Sequence, residues 1–333
     1  GRTVFVTGGG GSIGSELCRQ IAAMEPDRLI VVDQSEYNLY SIEQELQQSW
    51  PGLNLSCELG DICDITGLEQ IFSNYNPDVI FHAAAYKHVP MLETKVREAV
   101  KNNVMGTWNI VQLADKYACS EFVMVSTDKA VNPGNIMGAT KRVAEIICQT
   151  MDRRSDTRFI TVRFGNVLGS AGSVVPLFRE QIRRGGPVTV TDENITRYFM
   201  TIPEACRLIL QTLVMGEGGE IFVLDMGEPV RILYLAEQMI RLSGRKPGED
   251  VEIRVTGLRP GEKLHEELFH NDEDLTDTGH SKVMLARSRR TDWETLQSSL
   301  ENFREGIIAG RSDALEACIR RLVPEMSGSR DHD

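Results

Sequence analysis

Ser126-Thr127-Asp128-Lys129-Ala130-Val131-Asn132-Pro133 sets a carboxylate beside an amine, directly after the strand-like run Glu121–Ser126. Such a pair can give one proton and take another in the same event. Solvated, Asp128 would sit low and Lys129 high. Buried, with Lys141 nearby, Lys129 would come down towards a usable base. The spacing alone also fits a loop ion pair in water. A second centre is Thr7-Gly8-Gly9-Gly10-Gly11-Ser12-Ile13-Gly14, between a strand-like run and a helical one. Gly8, Gly11 and Gly14 form GxxGxxG, which lets the backbone turn sharply and approach a pyrophosphate, with Ser12 and Ile13 opening the helix whose N-terminus receives the charge. Nineteen residues after Gly14, Asp33 ends the next strand. A carboxylate there binds both ribose hydroxyls of an adenosine and repels a 2′-phosphate, which favours NAD over NADP. Asp61-Ile62 either reaches the adenine or, for Asp61, caps its own loop. Ala83-Ala84 leave room for a cofactor across the strand ends.

These residues need a frame. Thr3–Thr7, Arg28–Asp33, Leu53–Cys57, Asp78–His82, Glu121–Ser126 and Arg158–Arg163 read as strands. Ser12–Met24, Glu36–Ser49, Thr66–Tyr75, Met91–Tyr117 and Ile136–Met151 read as helices between them. This alternation predicts an α/β fold with a parallel sheet covered on both faces. After about residue 165 it fades into mixed short strands and helices. The expectation is a cofactor-binding domain over 1–165 that also carries the reacting groups, and a smaller lobe over 166–333, interleaved with the sheet or built against it. A strand at Lys282–Ala286 and helices at Asp292–Ile308 and Ser312–Leu322 follow, and the polar tail Ser327–Asp333 is expected to fray.

Composition narrows the function classes. The chain has 333 residues and a net charge of −12, which disfavours nucleic acid or an anionic membrane as the main partner. Its 41% hydrophobic and 25% charged residues fit a globular protein and exclude a disordered or collagen-like one. No run approaches the roughly 20 apolar residues of a membrane span. The seven cysteines form no CxxC pair and no zinc spacing, so free thiols and no metal are expected. The first residue is Gly, not Met, which suggests a portion of a longer protein.

The glycine loop with a later helical lysine resembles the extended short-chain dehydrogenase/reductase superfamily. Its members carry Tyr-x-x-x-Lys, with Tyr as acid/base and Lys on the nicotinamide ribose. Here Met137-Gly138-Ala139-Thr140-Lys141 keeps the lysine and puts Met137 at the Tyr position. The match sharpens in TGGGGSIGSE (7–16), HAAAYKHVPMLE (82–93), STDKAVNPGNIMGATKR (126–142), RFGNVLGSAGSVVPLF (163–178), TRYFMTIPEA (196–205) and LRPGEKLHEEL (258–268). In that order, over roughly residues 1–290, they resemble bacterial UDP-N-acetylglucosamine 4,6-dehydratases of polysaccharide biosynthesis, some of which also carry Met at the Tyr position.

The resemblance implies a Rossmann-like doubly wound parallel sheet, NAD as cofactor, and a UDP-sugar as substrate. It implies Lys129 as base at the sugar C5, Asp128 as acid at the C6 hydroxyl, Thr127 on the C4 hydroxyl and Lys141 on the nicotinamide ribose. With Tyr absent, the C4 proton would leave through Thr127 to Asp128 or Lys141. Arg197 and Arg259 would hold the diphosphate through their guanidinium forks, unless they form surface ion pairs. Glu262 would bind a ribose or orient Arg259, Asn166 would bind the diphosphate or acetamido group or simply form a turn, and Lys87 would line the mouth. Long members carry an N-terminal membrane domain, which implies a cytoplasmic portion of an inner-membrane-anchored protein and C5 retention. A homo-oligomer is expected, with Met91–Tyr117 and Ile136–Met151 as its natural face. The competing readings are a nucleotide-sugar 4-epimerase, which needs no Asp-Lys pair, and an inactive nucleotide-binding regulator, suggested by the missing Tyr.

Overall fold

The computed structural model describes residues 1–269, 274–287 and 291–326, so the tail Ser327–Asp333 lies outside it. Six strands alternate with helices as the sequence predicts: β1 (Thr3–Thr7), β2 (Arg28–Asp33), β3 (Leu55–Leu59), β4 (Val79–His82), β5 (Glu121–Val125) and β6 (Arg158–Arg163). They run in parallel in the order β3-β2-β1-β4-β5-β6. Ile221–Leu224 adds a seventh parallel strand beside β6, and Val283–Arg287 and Asp274–Asp277 follow as antiparallel edge strands. The sheet is therefore completed by chain from well beyond residue 165.

Side chains alternate across the pleat. Phe5 and Ile30 join one apolar cluster and Val6 and Val31 the other. Both faces are covered, which is why β1 and β2 are almost wholly apolar. Helix α1 (Ser12–Ala22) packs Leu17, Cys18 and Ile21 on the second face. A smaller lobe holds its own cluster, built from Phe178 and Ile240 of the helices Val174–Arg183 and Ile232–Leu242 and Val188 of a short strand. All seven cysteines are free, as expected. Among the described residues no helix is long and apolar enough to cross a membrane.

Two expectations need correction. The predicted helix Met91–Tyr117 is four pieces: Val89–Glu93, Val96–Ala99, a widened π turn at Val100–Gly106, and Thr107–Lys116. The π turn carries Asn103, which brackets Tyr86 by accepting from its N–H at 2.8 Å and donating to its carbonyl at 3.0 Å. Such π turns occur frequently at functional sites. The second correction concerns the predicted oligomer face. Every residue from Ile136 to Met151 is buried within the single chain. The helices Trp293–Ala309 and Ser312–Leu322 lay Leu296, Leu300, Phe303 and Ile319 into the cluster that holds Ala139, Val143 and Ile147. These two helices cover the Ile136–Met151 half of that face.

Candidate active site

The glycine loop is tight for a steric reason. Gly8 has φ +64°, and a Cβ on it would stand 2.8 Å from the Cα of Ala84. A Cβ on Gly14 would stand 2.0 Å from the carbonyl oxygen of Gly8. The loop, the start of α1 and the end of β4 thus close on one another with backbone facing outward. At the tip of β2, Asp33 accepts from Gly10 N at 2.9 Å and from Ser35 N at 2.8 Å, which fixes its carboxylate. Asp33, Ile62, Ala83 and Ala84 line a hollow of about 150 Å³ with Gly8 and Gly11. Gly8, Gly11 and Ala83 also border a cavity of about 950 Å³, which adds Ser12, Ile13 and Gly14. Backbone at a helix N-terminus, a fixed carboxylate one strand away and a small-residue floor fit a dinucleotide. Asp61 is placed differently from Ile62. Its Oδ1 accepts from Cys63 N at 2.9 Å, the loop-capping arrangement, and it does not line the hollow.

Thr127, Lys129, Met137, Lys141, Asn166, Arg197, Arg259, Glu262 and Lys87 all line the larger cavity. Asp128 lies just behind it, fully buried. Its Oδ1 accepts from Thr127 Oγ1 and from Lys129 Nζ, both at 2.9 Å, while its Oδ2 has no hydrogen-bond partner. Lys129 Nζ also donates to Asn166 Oδ1 at 3.2 Å and lies 3.5 Å from Glu266 Oε1. Burial pulls the Lys129 ammonium down, but the charges of Asp128 and Glu266 outweigh it and hold the group above its ordinary value. The expectation that burial brings Lys129 down is therefore overturned for the site as it stands.

Lys141 shows the shift expected for its neighbour. It is 5% exposed, and burial pushes its ammonium down to about 8. His82, at the end of β4, is buried between Thr7 Oγ1 at 2.7 Å and Thr107 Oγ1 at 2.9 Å. Burial and the Lys141 charge push the imidazole down to about 3, so it is neutral at physiological pH. Met137 is buried at 3% exposure and presents a thioether to the cavity, which cannot exchange protons.

On the opposite wall, Arg197 is only 7% exposed. Its Nη1 donates to the carbonyls of Thr196 and Leu264 at 2.7 and 3.2 Å, and its Nη2 reaches Glu262 Oε1 at 3.4 Å. It is a buried ion pair, not a surface one. Glu262 also accepts from the backbone N–H of Arg259 at 3.1 Å. The Arg259 guanidinium forms no ion pair among the described residues. Partial burial lowers the Lys87 ammonium.

A family model described as "Polysaccharide biosynthesis protein" matches residues 4–288. The chain belongs to the polysaccharide biosynthesis protein family. It is 48% identical over 306 residues to "Probable polysaccharide biosynthesis protein EpsC" of Bacillus subtilis, covering 92% of this chain and 51% of that one. It is 51% identical over 274 residues to "Capsular polysaccharide biosynthesis protein CapD" of Staphylococcus aureus, covering 82% and 46%. The chain thus spans about half the length of these curated relatives. Among solved structures it is similar to Pen from Bacillus thuringiensis, at 33% identity and TM-score 0.80 over 87% of this chain and 90% of that one. More distant relatives divide by activity. A Campylobacter jejuni protein named "UDP-N-acetylglucosamine 4,6-dehydratase (inverting)" is 29% identical over 82% of this chain and 79% of its own length. A "UDP-glucose 4-epimerase" of Rickettsia canadensis is 33% identical over 83% and 81%. A dTDP-glucose 4,6-dehydratase from Streptomyces venezuelae, solved with NAD, is 25% identical at TM-score 0.70 over 80% of this chain and 87% of its own.

Two groups of this family member escaped the sequence reading. One is Glu266, inside a quoted motif and carrying no sequence signal beyond its charge. The other is a buried ion cluster behind the site. Glu145 accepts from Ser126 Oγ at 2.6 Å, from Arg163 Nε at 2.8 Å and Nη2 at 2.7 Å, and from Arg142 Nη1 at 3.1 Å. Glu145 and Arg163 are fully buried and Arg142 is 2% exposed. Glu145 lies four positions after Lys141 on one helix, a spacing that places both on the same face.

Proposed function

We propose that the chain is an NAD-dependent nucleotide-sugar 4,6-dehydratase acting on UDP-N-acetylglucosamine, in bacterial surface-glycan synthesis. The observation that carries this reading is the Thr127-Asp128-Lys129 cluster beside Lys141, on a cavity whose usual tyrosine is Met137. Residues 1–165 would hold the cofactor and 166–333 mainly the nucleotide sugar. Gly8, Gly11, Ser12, Ile13 and Gly14 would face the pyrophosphate, Asp33 the adenosine ribose, Ile62 the adenine, and Lys141 the nicotinamide ribose. Ala83 and Ala84 would leave the path clear. Bound NAD supplies reversible two-electron oxidation of the sugar.

The side chains supply the protons. The C4 hydroxyl proton passes to Thr127 Oγ1 as Thr127 gives its own to Asp128 Oδ1, 2.9 Å away. Lys129 takes the proton at C5, acidified by the new C4 ketone. Asp128 gives its proton to the C6 hydroxyl, which leaves as water. Lys129 then returns its proton to C5. Asp128 begins and ends as a carboxylate, which answers the missing tyrosine without an added base. Arg197 and Arg259 counter the diphosphate.

A 4-epimerase is the second reading, favoured by the named epimerases among the relatives. Epimerisation uses neither a base at C5 nor an acid at C6, so it leaves the Asp128–Lys129 pair without a task. Incubation with UDP-N-acetylglucosamine and NAD separates the readings by mass and NMR. A product lighter by one water, with a C6 methyl group, supports dehydration. An isomer of unchanged mass supports epimerisation, and an unchanged substrate that still binds supports the regulator.

A further inference from the structure

Lys129 carries three N–H donors as an ammonium, and three oxygens surround it, two in hydrogen bonds and the third in an ion pair. They are Asp128 Oδ1 at 2.9 Å, Asn166 Oδ1 at 3.2 Å and Glu266 Oε1 at 3.5 Å. A base at C5 must be the neutral amine, which keeps two donors and exposes one lone pair. One of the three protons must go elsewhere. The Asn166 amide oxygen is not basic enough to hold it. In the proposed reaction Asp128 is already engaged with the C4 proton. Only Glu266 is left among the groups around the amine. Its side chain is 3% exposed, and its Oε2 is buried with no hydrogen-bond partner. A buried carboxylate oxygen left unpartnered has a clear cost unless something occupies it for part of the cycle.

We propose that Glu266 takes the third proton of Lys129 and so frees the amine to act as base. This rests on the dehydratase reading above. The Lys129 N–H bond breaks and a Glu266 O–H bond forms. The lone pair left on Nζ takes the C5 proton during elimination. After that proton has returned to C5, Glu266 gives its own back to Nζ, and no outside acid or base is consumed. Arg197 Nε lies 3.9 Å from the same Glu266 Oε1. An anionic diphosphate facing Arg197 would offset the cation that favours the Glu266 carboxylate, so substrate arrival itself promotes the transfer. The charged groups facing Lys129 are Asp128, Glu266 and Arg197, and Arg197 is also met by Glu262.

The test is Glu266→Gln, which keeps the shape and removes the proton site. Its affinity for UDP, measured by calorimetry, should stay within about twofold of the unsubstituted chain. Its kcat at pH 7 should fall at least tenfold, because Lys129 must now lose its proton to water. The loss should shrink by about tenfold per pH unit as alkali strips the ammonium, a dependence the unsubstituted chain lacks. A kcat within twofold at pH 7 would overturn the proposal, and so would an equal loss at every pH, the mark of a packing role. If Glu266→Gln does not fold, Glu266→Asp carries the test. A flat pH dependence supports the proposal there and a steep one overturns it. An unsubstituted chain that makes no dehydrated sugar overturns both readings, whereas normal turnover with an indifferent Glu266→Gln overturns this one alone.

Discussion

Lys141→Met should make the protein more stable and less functional. Lys141 is 5% exposed, and its ammonium forms no hydrogen bond or ion pair among the described residues. Burial moves the group from 10.5 down to about 8, with Cys148 and Glu145 opposing only part of it. At about 1.4 kcal/mol per pKa unit, carrying that charge costs the folded state roughly 3 kcal/mol near neutrality. The sign follows from linkage. Between pH 8 and 10.5 the unfolded chain keeps the proton and the folded one has lost it, so stability rises with pH across that window. The full penalty applies below pH 8 and is gone above 10.5. Methionine fills a similar volume with no charge. Urea unfolding at pH 7 should show a gain of about 1–3 kcal/mol, the lower figure allowing for imperfect repacking. At pH 10 the gain should fall to about a quarter of that. NAD affinity and turnover should both fall, since the proposed ribose contact is lost. A variant less stable than the parent at pH 7, or equally stabilised at both pH values, refutes the reasoning.

Glu145→Gln leaves the buried guanidinium groups of Arg142 and Arg163 facing a neutral amide. Breaking such a cluster costs about 3–5 kcal/mol, readable as a large fall in the urea midpoint. The same carboxylate is held down to about 2 from 4.5. Although burial alone would raise it, the Arg163 and Arg142 charges and the hydrogen bonds prevail. Its contribution is therefore complete above pH 4.5 and is lost as the pH falls towards 2, which an acid titration of stability in parent and variant will show. Gly14→Ala must move the Gly8 carbonyl, so NAD binding by calorimetry should fall at least tenfold while circular dichroism stays native. Lys129→Ala should abolish dehydrated product yet keep UDP affinity, because it removes a group used in the reaction and not in docking.

What the sequence made legible has a physical pattern. Strands buried on both faces write themselves as apolar runs, so β1, β2 and β6 are found to the residue. Helices on one face of the sheet carry a period, and Glu36–Ser49 and Ser312–Leu322 match their predicted ends. Asn135 shows how local chemistry sets a start, with its side chain accepting from Gly138 N at 2.7 Å. The widened turn at 100–106 was not legible, because the Asn103–Tyr86 bonds made from it join separate segments and are invisible to periodicity. The site divides likewise. Lys129, Thr127 and Lys141 declare themselves by motif and position. The state of Lys129 does not, since the charge of Glu266, 137 residues away in the chain, adds to that of the adjacent Asp128 in holding the ammonium up.

The last two helices brace the helix that carries Lys141. The family match ends at residue 288, yet the core does not. Leu296, Leu300, Phe303, Leu315, Ile319 and Leu322 are buried against the helix Ile136–Asp152 and its neighbours. At about 1.5–3 kcal/mol for each large apolar side chain, their removal forfeits on the order of 10 kcal/mol, comparable with the whole net stability of a typical domain. A polar link runs with the apolar one. Glu325 Oε1 accepts from Arg142 Nε at 2.9 Å, Arg142 holds Glu145, and Glu145 holds Ser126, one residue before the proposed reacting triplet. A chain ended at residue 290 would bare the Ala139–Val143–Ile147 face that carries Lys141 on its other side. It should lose cooperative thermal unfolding and NAD binding together, and it should bind a dye specific for exposed apolar surface. A truncated chain that melts cooperatively at the parent temperature would show that the sheet supports this helix unaided, and that the two C-terminal helices only shield it.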